Sequence, residues 1–533
     1  MPKFNWKMIG SAGEGIKISG LIMASTCFQH GLYVHGYTEY PSLIRGGTNT
    51  FQLTADLKPV LSASNLTDLE VSTSDPLFLK ICQENHLNSK SKNMVALGFS
   101  AAFFNLDLSI LTSTIAKTFS KKSKVVIKEN QKAAEFGYKT NSKRFNKILK
   151  PLPSVSLSNQ IFLTGNEALS LGAIAGGMKF FSAYPMTPAT SILHFLASKA
   201  LKANLAVRQG EDEIGVVNMA LGASFAGART MVATSGGGFS LMTECLGLAG
   251  VSETPLVIVD AMRPGPASGM PTWTGQGDLL FCIHASQDEF PRIVLAPGDP
   301  QEAFILAKLA QNLAEKYQLP VIILTDKYLA ESYFTFTQPE TNHNNQRFGI
   351  ANTTAIDNQT PFHRYAVTDT GVSLRSLPGQ SGGIHLANSY EHDTLGYATE
   401  VSETRIKQVN KRAKKLITLL SDSDMVKPTL YGPQNAVKTV ISWGSNKGSC
   451  LTALDSLPDT NFIHFSWVFP FPQSEFLRLI KSSKKLITLE ANSTGQLNQL
   501  IQKETGIKIE SQILKYDGRP FFPEEIIAKV KSI

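Results

Sequence analysis

Between residues 160 and 330 the apolar positions fall into two alternating rhythms. Short continuous runs at Phe180–Ala183, Leu205–Gln209, Arg229–Ser235, Pro255–Met262, Arg292–Leu295 and Pro320–Thr325 have the length and continuity of buried strands. Between them, Thr190–Lys202, Glu213–Gly227, Phe239–Gly250 and Pro300–Tyr317 repeat apolar residues at helical spacing. This alternation predicts an α/β fold with a doubly wound, mostly parallel sheet. Ligands of such sheets bind outside the carboxyl ends of the strands. Four successive strands run into unusual turns there: Tyr184 to Pro188 (YPMTP), Gly210 to Glu213 (GEDE), Ser235 to Phe239 (SGGGF) and Arg263 to Thr272 (RPGPASGMPT). The candidate site is placed on that edge.

The flanking regions carry weaker rhythms. Residues 3–9 read as a strand, followed by the turn Gly10 to Gly15 (GSAGEG) and an apolar helix, Ile16–His30. Strand, glycine turn and helix is a geometry in which backbone N–H groups hold a phosphate, and equally one that permits close packing with nothing bound. Arg45, followed by Gly46 and Gly47, suits an anion or an exposed surface turn. The first domain is drawn over residues 1–155, an α/β unit closed by a polar, lysine-rich linker, Lys117–Pro151. The doubly wound domain takes residues 156–335, and a turn-rich connecting segment with a basic helix at Lys407–Leu420 takes residues 336–432. Residues 433–533 alternate again, with strands at Thr439–Trp443, Phe462–Trp467, Lys485–Glu490 and Gln512–Lys515.

Composition narrows the classes. At 533 residues one core is too few. No apolar run reaches membrane-spanning length and the first ten residues lack a signal-peptide layout, so a soluble cytoplasmic protein with no membrane contact is expected. The net charge of +8 is modest and sits largely in Lys117–Lys150, spread as on a solvated surface, so nucleic acid is not an expected partner. The five cysteines are scattered and form no CxxC, which argues against an iron–sulfur cluster or structural zinc in this chain. Glu391-His392-Asp393 has no second ligand cluster and reads as a surface turn, so no metal ligands are assigned.

Each turn offers chemistry beside a plainer role. Glu213 opens a helix, where a carboxylate is favoured by the helix dipole whatever else it does. Glu211 is its nearby competitor. Thr187 and Pro188 read as N-cap and first residue of a helix, an arrangement that also suits the carboxylate of a small acid. Arg263 can pair bidentately with a carboxylate or lie in an ion pair at the sheet edge. Ser235, Gly236, Gly237 and Gly238 let backbone approach a cofactor, or simply turn tightly.

Taken together, Tyr184 to Pro188, Glu213, Ser235–Gly238 and Arg263 to Thr272 resemble the α subunit of the 2-oxoacid:ferredoxin oxidoreductases, in the form with a γ domain fused at the N-terminus. The resemblance covers nearly the whole chain. Residues 1–155 look like the γ domain, with Ala12 where the family usually has glycine and Thr48 where it usually has histidine. Residues 433–533, with Glu490 to Gln496 (EANSTGQ), look like a transketolase C-terminal-like domain. The resemblance implies that Glu213 bonds N1′ of the aminopyrimidine of thiamine diphosphate, promoting the imino tautomer that removes the C2 proton. It implies substrate contacts from Tyr184, Thr187, Arg263 and Thr272. It implies cofactor contacts from Ser235, Gly236, Gly237 and Gly238, and coenzyme A contacts from Gly10, Gly13, Gly15 and Arg45. The chain lacks the Gly-Asp-Gly and Asn-Asn pattern of a diphosphate and Mg2+ site, so a β subunit is expected to bring that half and a [4Fe–4S] cluster. The expected assembly is an αβ heterodimer or (αβ)2 heterotetramer. The implied reaction is coenzyme A-dependent oxidative decarboxylation of a 2-oxo acid, 2-oxoglutarate before pyruvate, with electrons passed to ferredoxin. Another transketolase-type thiamine enzyme, or a non-catalytic scaffold or nucleotide-binding protein on the same folds, stands as the alternative.

Overall fold

A computed structural model describes residues 3–41, 47–142, 157–340, 346–352, 356 and 360–533. Among the described residues the strands form three sheets. The central sheet runs Trp467–Phe469, Ile293–Leu295, Pro320–Asp326, Leu256–Met262, Thr230–Thr234, Phe180–Ala183, Ala206–Gln209. Its strands are parallel except Trp467–Phe469, which pairs antiparallel with Ile293–Leu295. Leu256–Met262 and Pro320–Asp326 are wholly buried, as a sheet covered on both faces requires. One face packs on Phe239, Met242 and Leu246, the other on Ile192, Leu196, Leu306 and Leu313. The carboxyl ends of the strands after which the four unusual turns follow therefore share one edge, as the alternation predicts.

The N-terminal sheet runs Leu69–Ser72, Phe4–Ser11, Thr48–Asp56, Tyr33–Glu39, Tyr333–Thr337, Gln160–Thr164. Its last two strands come from either end of the central region and extend the sheet antiparallel, with Tyr333 opposite Gly36 and Thr164. An edge that would otherwise stand unpaired is thereby covered, and the N-terminal unit is joined to the central one through backbone. The C-terminal sheet runs Thr429–Tyr431, Thr460–Phe465, Lys438–Trp443, Lys485–Glu490, Ser511–Leu514.

The linker expected over Lys117–Pro151 is corrected for its described part. Lys124–Ser142 is a helix packed on Lys92–Phe103. The two approach so closely that a Cβ on Gly98 would lie 1.9 Å from the Ala134 carbonyl oxygen, and one on Gly137 would lie 2.0 Å from that of Val95. The basic helix of the connecting segment runs Ser402–Leu420, and two of its lysines are buried rather than solvated. Lys411 and Lys415 each stand 2.6 Å from the buried carboxylate of Glu253. Removing Glu253 would leave two buried ammonium groups without their counter-charge, at a cost of roughly 3–5 kcal/mol. The segment is thus clamped to the back of the central sheet. Glu391 is held by Arg412 at 2.7 Å and Arg405 at 3.3 Å, and the His392 ring lies tilted against Tyr365 with centroids 3.9 Å apart.

Candidate active site

Glu213 is the first residue of helix Glu213–Phe225, behind the N-cap Asp212, whose carboxylate accepts from Gly215 N at 2.6 Å. The division of labour between the two acids is clear. Asp212 is exposed and spends its charge on the cap, whereas Glu213 is 4% exposed and its Oε1 has no hydrogen-bond partner. A buried carboxylate oxygen without a donor is costly. Glu211, the competitor, is exposed.

The helix expected from Phe239 begins earlier, running Gly236–Val251 with Ser235 as N-cap. Ser235 does not cap with its side chain, and its Oγ is buried without a partner. The glycines are there for close approach. A Cβ on Gly238 would lie 2.6 Å from Glu213 Oε1 and 2.1 Å from Thr234 Oγ1, and one on Gly236 would lie 2.5 Å from Asp278 Oδ2. Any side chain at Gly238 would therefore fall on the carboxylate of Glu213. On Gly237 the nearest atom would be the Ala267 carbonyl oxygen at 3.8 Å, which puts the Arg263 loop beside this helix start.

Thr187 is not a helix N-cap. The helix begins at Thr190 after Ala189, and Thr187 sits half-buried in the turn before it. The backbone oxygen of Thr187 accepts from Arg263 Nη1 at 2.8 Å, so the structure brings these two predicted residues together. Tyr184 is exposed at the end of its strand. Thr272 is 5% exposed and its Oγ1 is unpartnered. The loop between is folded on itself by Met270 N to Pro264 O at 2.9 Å, and tied to the C-terminal unit by Thr274 N to Gly518 O at 3.1 Å.

Two acids here escaped the reading of the sequence. Asp278 and Arg263 line one cavity of about 460 Å3, walled on its other side by Ala491–Thr494, Gln496 and Tyr516. Asp260, wholly buried in strand Leu256–Met262, accepts from Cys282 Sγ at 3.6 Å through Oδ2 and leaves Oδ1 unpartnered. Burial pushes the Asp278 carboxyl up to about 6, against the pull of Arg263. Burial, then the charge of Asp278, pushes Asp260 well above the carboxylate range. The available signal was an acid between glycine and an apolar helix in Gly275-Gln276-Gly277-Asp278, just past the Arg263 loop.

The cavity wall is fixed by buried amides. Gln276 donates to Trp443 O at 3.1 Å and accepts from Asn446 at 2.8 Å and Ala491 N at 3.0 Å. Asp326 accepts from Ser445 at 2.5 Å and Thr274 at 3.1 Å.

The N-terminal turn is arranged otherwise. The carboxylate of Glu14 folds back to accept from Ser11 N at 2.9 Å and from Thr73 at 2.5 Å, and pairs with Lys92 at 2.8 Å. A Cβ on Gly10 would lie 2.2 Å from Thr73 Oγ1, and Gly13 and Gly15 hold positive φ of 89° and 77°. The turn thus holds an anion of its own, the carboxylate of Glu14, beside Gly10, Gly13 and Gly15. Arg45 lies outside the described residues.

Comparison with known proteins places these features. Residues 171–411 match the family described as pyruvate flavodoxin/ferredoxin oxidoreductase, thiamine diphosphate-binding, and residues 5–78 and 71–140 match pyruvate ferredoxin/flavodoxin oxidoreductase. The chain is 30% identical to a 2-oxoacid:ferredoxin oxidoreductase subunit alpha of Saccharolobus solfataricus, over 100% of this chain and 98% of that one. It belongs to that α-subunit family. It is also 32% identical to the 2-oxoglutarate synthase subunit KorA of Methanothermobacter marburgensis, over 71% of this chain and 100% of the relative. A solved 2-oxoglutarate:ferredoxin oxidoreductase from Magnetococcus marinus, with 2-oxoglutarate, coenzyme A and succinyl-CoA bound, superposes with a TM-score of 0.92 at 30% identity, covering 100% of this chain and 99% of that one. The protein is thus a member of an oxidoreductase family, with a thiamine diphosphate-binding domain in its central region. Among the described residues no helix is long and apolar enough to cross a membrane.

Proposed function

We propose that this chain is the pyrimidine-holding subunit of a coenzyme A-dependent 2-oxo acid:ferredoxin oxidoreductase that uses 2-oxoglutarate before pyruvate. One observation carries the reading: the buried, unpartnered Oε1 of Glu213, with Gly238 cut back to glycine against it. That oxygen fits N1′ of an aminopyrimidine, a ring nitrogen with which a carboxyl group can share one proton. Thiamine diphosphate, when bound, supplies the carbon nucleophile and electron sink that decarboxylation of a 2-oxo acid needs. Glu213 holds a proton at N1′. Gly236–Gly238 admit the ring edge. Arg263, fixed by its bond to Thr187 O, offers the remainder of its fork to the substrate carboxylate. Thr187 and Thr272 supply hydroxyls at the same end of the substrate.

The net reaction joins a 2-oxo acid and coenzyme A to give acyl-CoA, CO2, one proton and two electrons, which pass to two ferredoxins. The diphosphate, Mg2+ and [4Fe–4S] cluster belong on a β subunit, in an αβ or (αβ)2 assembly. The preference for 2-oxoglutarate is supported by the relative named 2-oxoglutarate synthase and by the structural neighbour holding that acid. The test is co-expression with a β subunit and assay against a panel of 2-oxo acids. Turnover is expected only in the complex and best with 2-oxoglutarate. Turnover by this polypeptide alone, with thiamine diphosphate and coenzyme A, would refute the subunit reading.

A further inference from the structure

We propose that Asp278 is a positioning residue that competes with the 2-oxo acid carboxylate for Arg263, so that substrate capture takes up a proton at Asp278. The proposal rests on the reading of Arg263 as the partner of the substrate carboxylate.

The geometry is specific. Asp278 precedes the short helix Leu279–His284 yet makes no capping bond to it. Its carboxylate is turned instead toward the start of helix Gly236–Val251, where Gly236 leaves room for Oδ2, and its residue lines the same cavity as Arg263. The charged and titratable neighbours are few. Arg263 is the cation of the same cavity, beyond ion-pair distance of Asp278 but favouring its ionised form, and Asp260 lies nearby on strand Leu256–Met262. Cys282 sits one helical turn along and is occupied by Asp260. Glu213 lies across the glycine turn, at Gly238 rather than Gly236. The opposite wall contributes Asn492, Ser493, Thr494 and Gln496, all neutral, and the phenol of Tyr516.

Two states of the cavity follow. With Asp278 ionised, the guanidinium already has a counter-charge, and an incoming carboxylate meets both a neutralised partner and a like charge. With Asp278 protonated, Arg263 carries its charge unopposed and the carboxyl can donate a hydrogen bond to the substrate. Both effects act in one direction, so 2-oxo acid binding weakens as Asp278 loses its proton. Burial places that loss at about 6 in the free protein, and a bound carboxylate moves it upward.

The experiment uses the assembled enzyme with its β subunit at saturating coenzyme A. KM for 2-oxoglutarate is measured from about pH 5.5 to about pH 8.5 for the wild type, Asp278→Asn and Arg263→Lys. Wild-type KM is expected to rise with pH, by up to about tenfold per unit once Asp278 is ionised. Asp278→Asn is expected to flatten that dependence and to bind 2-oxoglutarate more tightly than wild type at the alkaline end. A wild-type KM independent of pH overturns the proposal without any variant, and so does an Asp278→Asn profile parallel to wild type. If Asp278→Asn does not assemble, Asp278→Ser replaces it, since a smaller side chain meets no new contact at Gly236. Arg263→Lys separates the two levels. An unchanged KM in that variant refutes the substrate role of Arg263. A raised KM there, with Asp278→Asn parallel to wild type, refutes only the role of Asp278.

Discussion

Two glycine turns in this chain follow a strand and open a helix, and they end in opposite states. At Gly236–Gly238 the neighbouring Glu213 Oε1 and Ser235 Oγ are buried and unpartnered. At Gly10–Gly15 the acid within the turn, Glu14, satisfies Ser11 N and Thr73 and is itself neutralised by Lys92. Glycine supplies close approach in both places. What separates a site awaiting a ligand from a finished turn is whether the chain brings its own polar partner, because buried groups left unpaired must be compensated from outside.

The comparison breaks most visibly at Glu213. Glu213→Gln keeps volume and burial but cannot hold a proton at N1′. Turnover of the assembled enzyme is expected to fall by about 100- to 10,000-fold, the range for a lost acid–base group, with folding intact. Exchange of the C2 proton on bound thiamine diphosphate is the direct measurement, and exchange at the wild-type rate would remove Glu213 from the mechanism. Gly238→Ala tests the same turn from the other side. Its Cβ would fall 2.6 Å from Glu213 Oε1, so thiamine diphosphate affinity, read by titration of the apo complex, is expected to drop at least about tenfold. Unaltered affinity would show that the helix start yields more easily than its packing implies.

A smaller effect is expected at Arg263. A charge-assisted bond contributes about 1.5–3 kcal/mol, and lysine cannot reproduce the planar fork that also reaches Thr187 O. Arg263→Lys should lower kcat/KM by roughly ten- to a hundred-fold, with pyruvate and 2-oxoglutarate affected alike because both present the same end. An effect on one substrate alone would place Arg263 at the wrong end of the pocket.

How much of this was legible in sequence follows the same divide. The six parallel strands of the central sheet and the turns after them were readable because buried parallel strands leave continuous apolar runs, whereas the antiparallel seventh, Trp467–Phe469, was read with the C-terminal strands. Helix Lys124–Ser142 was not, because it packs through Gly98, Ala134 and Gly137, and small residues leave little apolar periodicity. The strands Gln160–Thr164 and Tyr333–Thr337 are adjacent in space but far apart in the chain, a pairing that no local pattern encodes. Thr187-Pro188 misled because a hydroxyl residue before proline fits a helix start, while the helix begins at Thr190. Asp260 left no signal and Asp278 only that of an acid between Gly277 and an apolar helix, because the meaning of both depends on the cavity that Asp278 shares with Arg263. Glu14 sat inside the glycine motif, yet its partners Thr73 and Lys92 arrive from distant segments.

The smallest effect is expected where the comparison predicts a finished turn. Three interactions that favour its ionised form, from Lys92, Thr73 and Ser11 N, together outweigh burial and hold the Glu14 carboxyl at about 2, below its ordinary 4.5. The folded carboxyl therefore releases its proton more readily than the unfolded one. Its contribution to stability is fully present above about 4.5 and is lost as pH falls from there toward about 2. The side chain is about a quarter exposed, so solvent screens the pair and the full shift is not realised as stability. Glu14→Gln should cost about 1 kcal/mol near neutral pH, read from urea midpoints of the full chain, and the gap to wild type should close as the pH approaches the acid limit. In the assembled enzyme the same variant should leave the coenzyme A requirement within about twofold, since RT ln 2 is well under the worth of one phosphate contact. A coenzyme A requirement that instead falls by about tenfold would mean that Ser11 N, Thr73 and Lys92, once released, take a phosphate. Glu14 would then be a placeholder for a ligand, and the two turns would differ in occupancy rather than in kind.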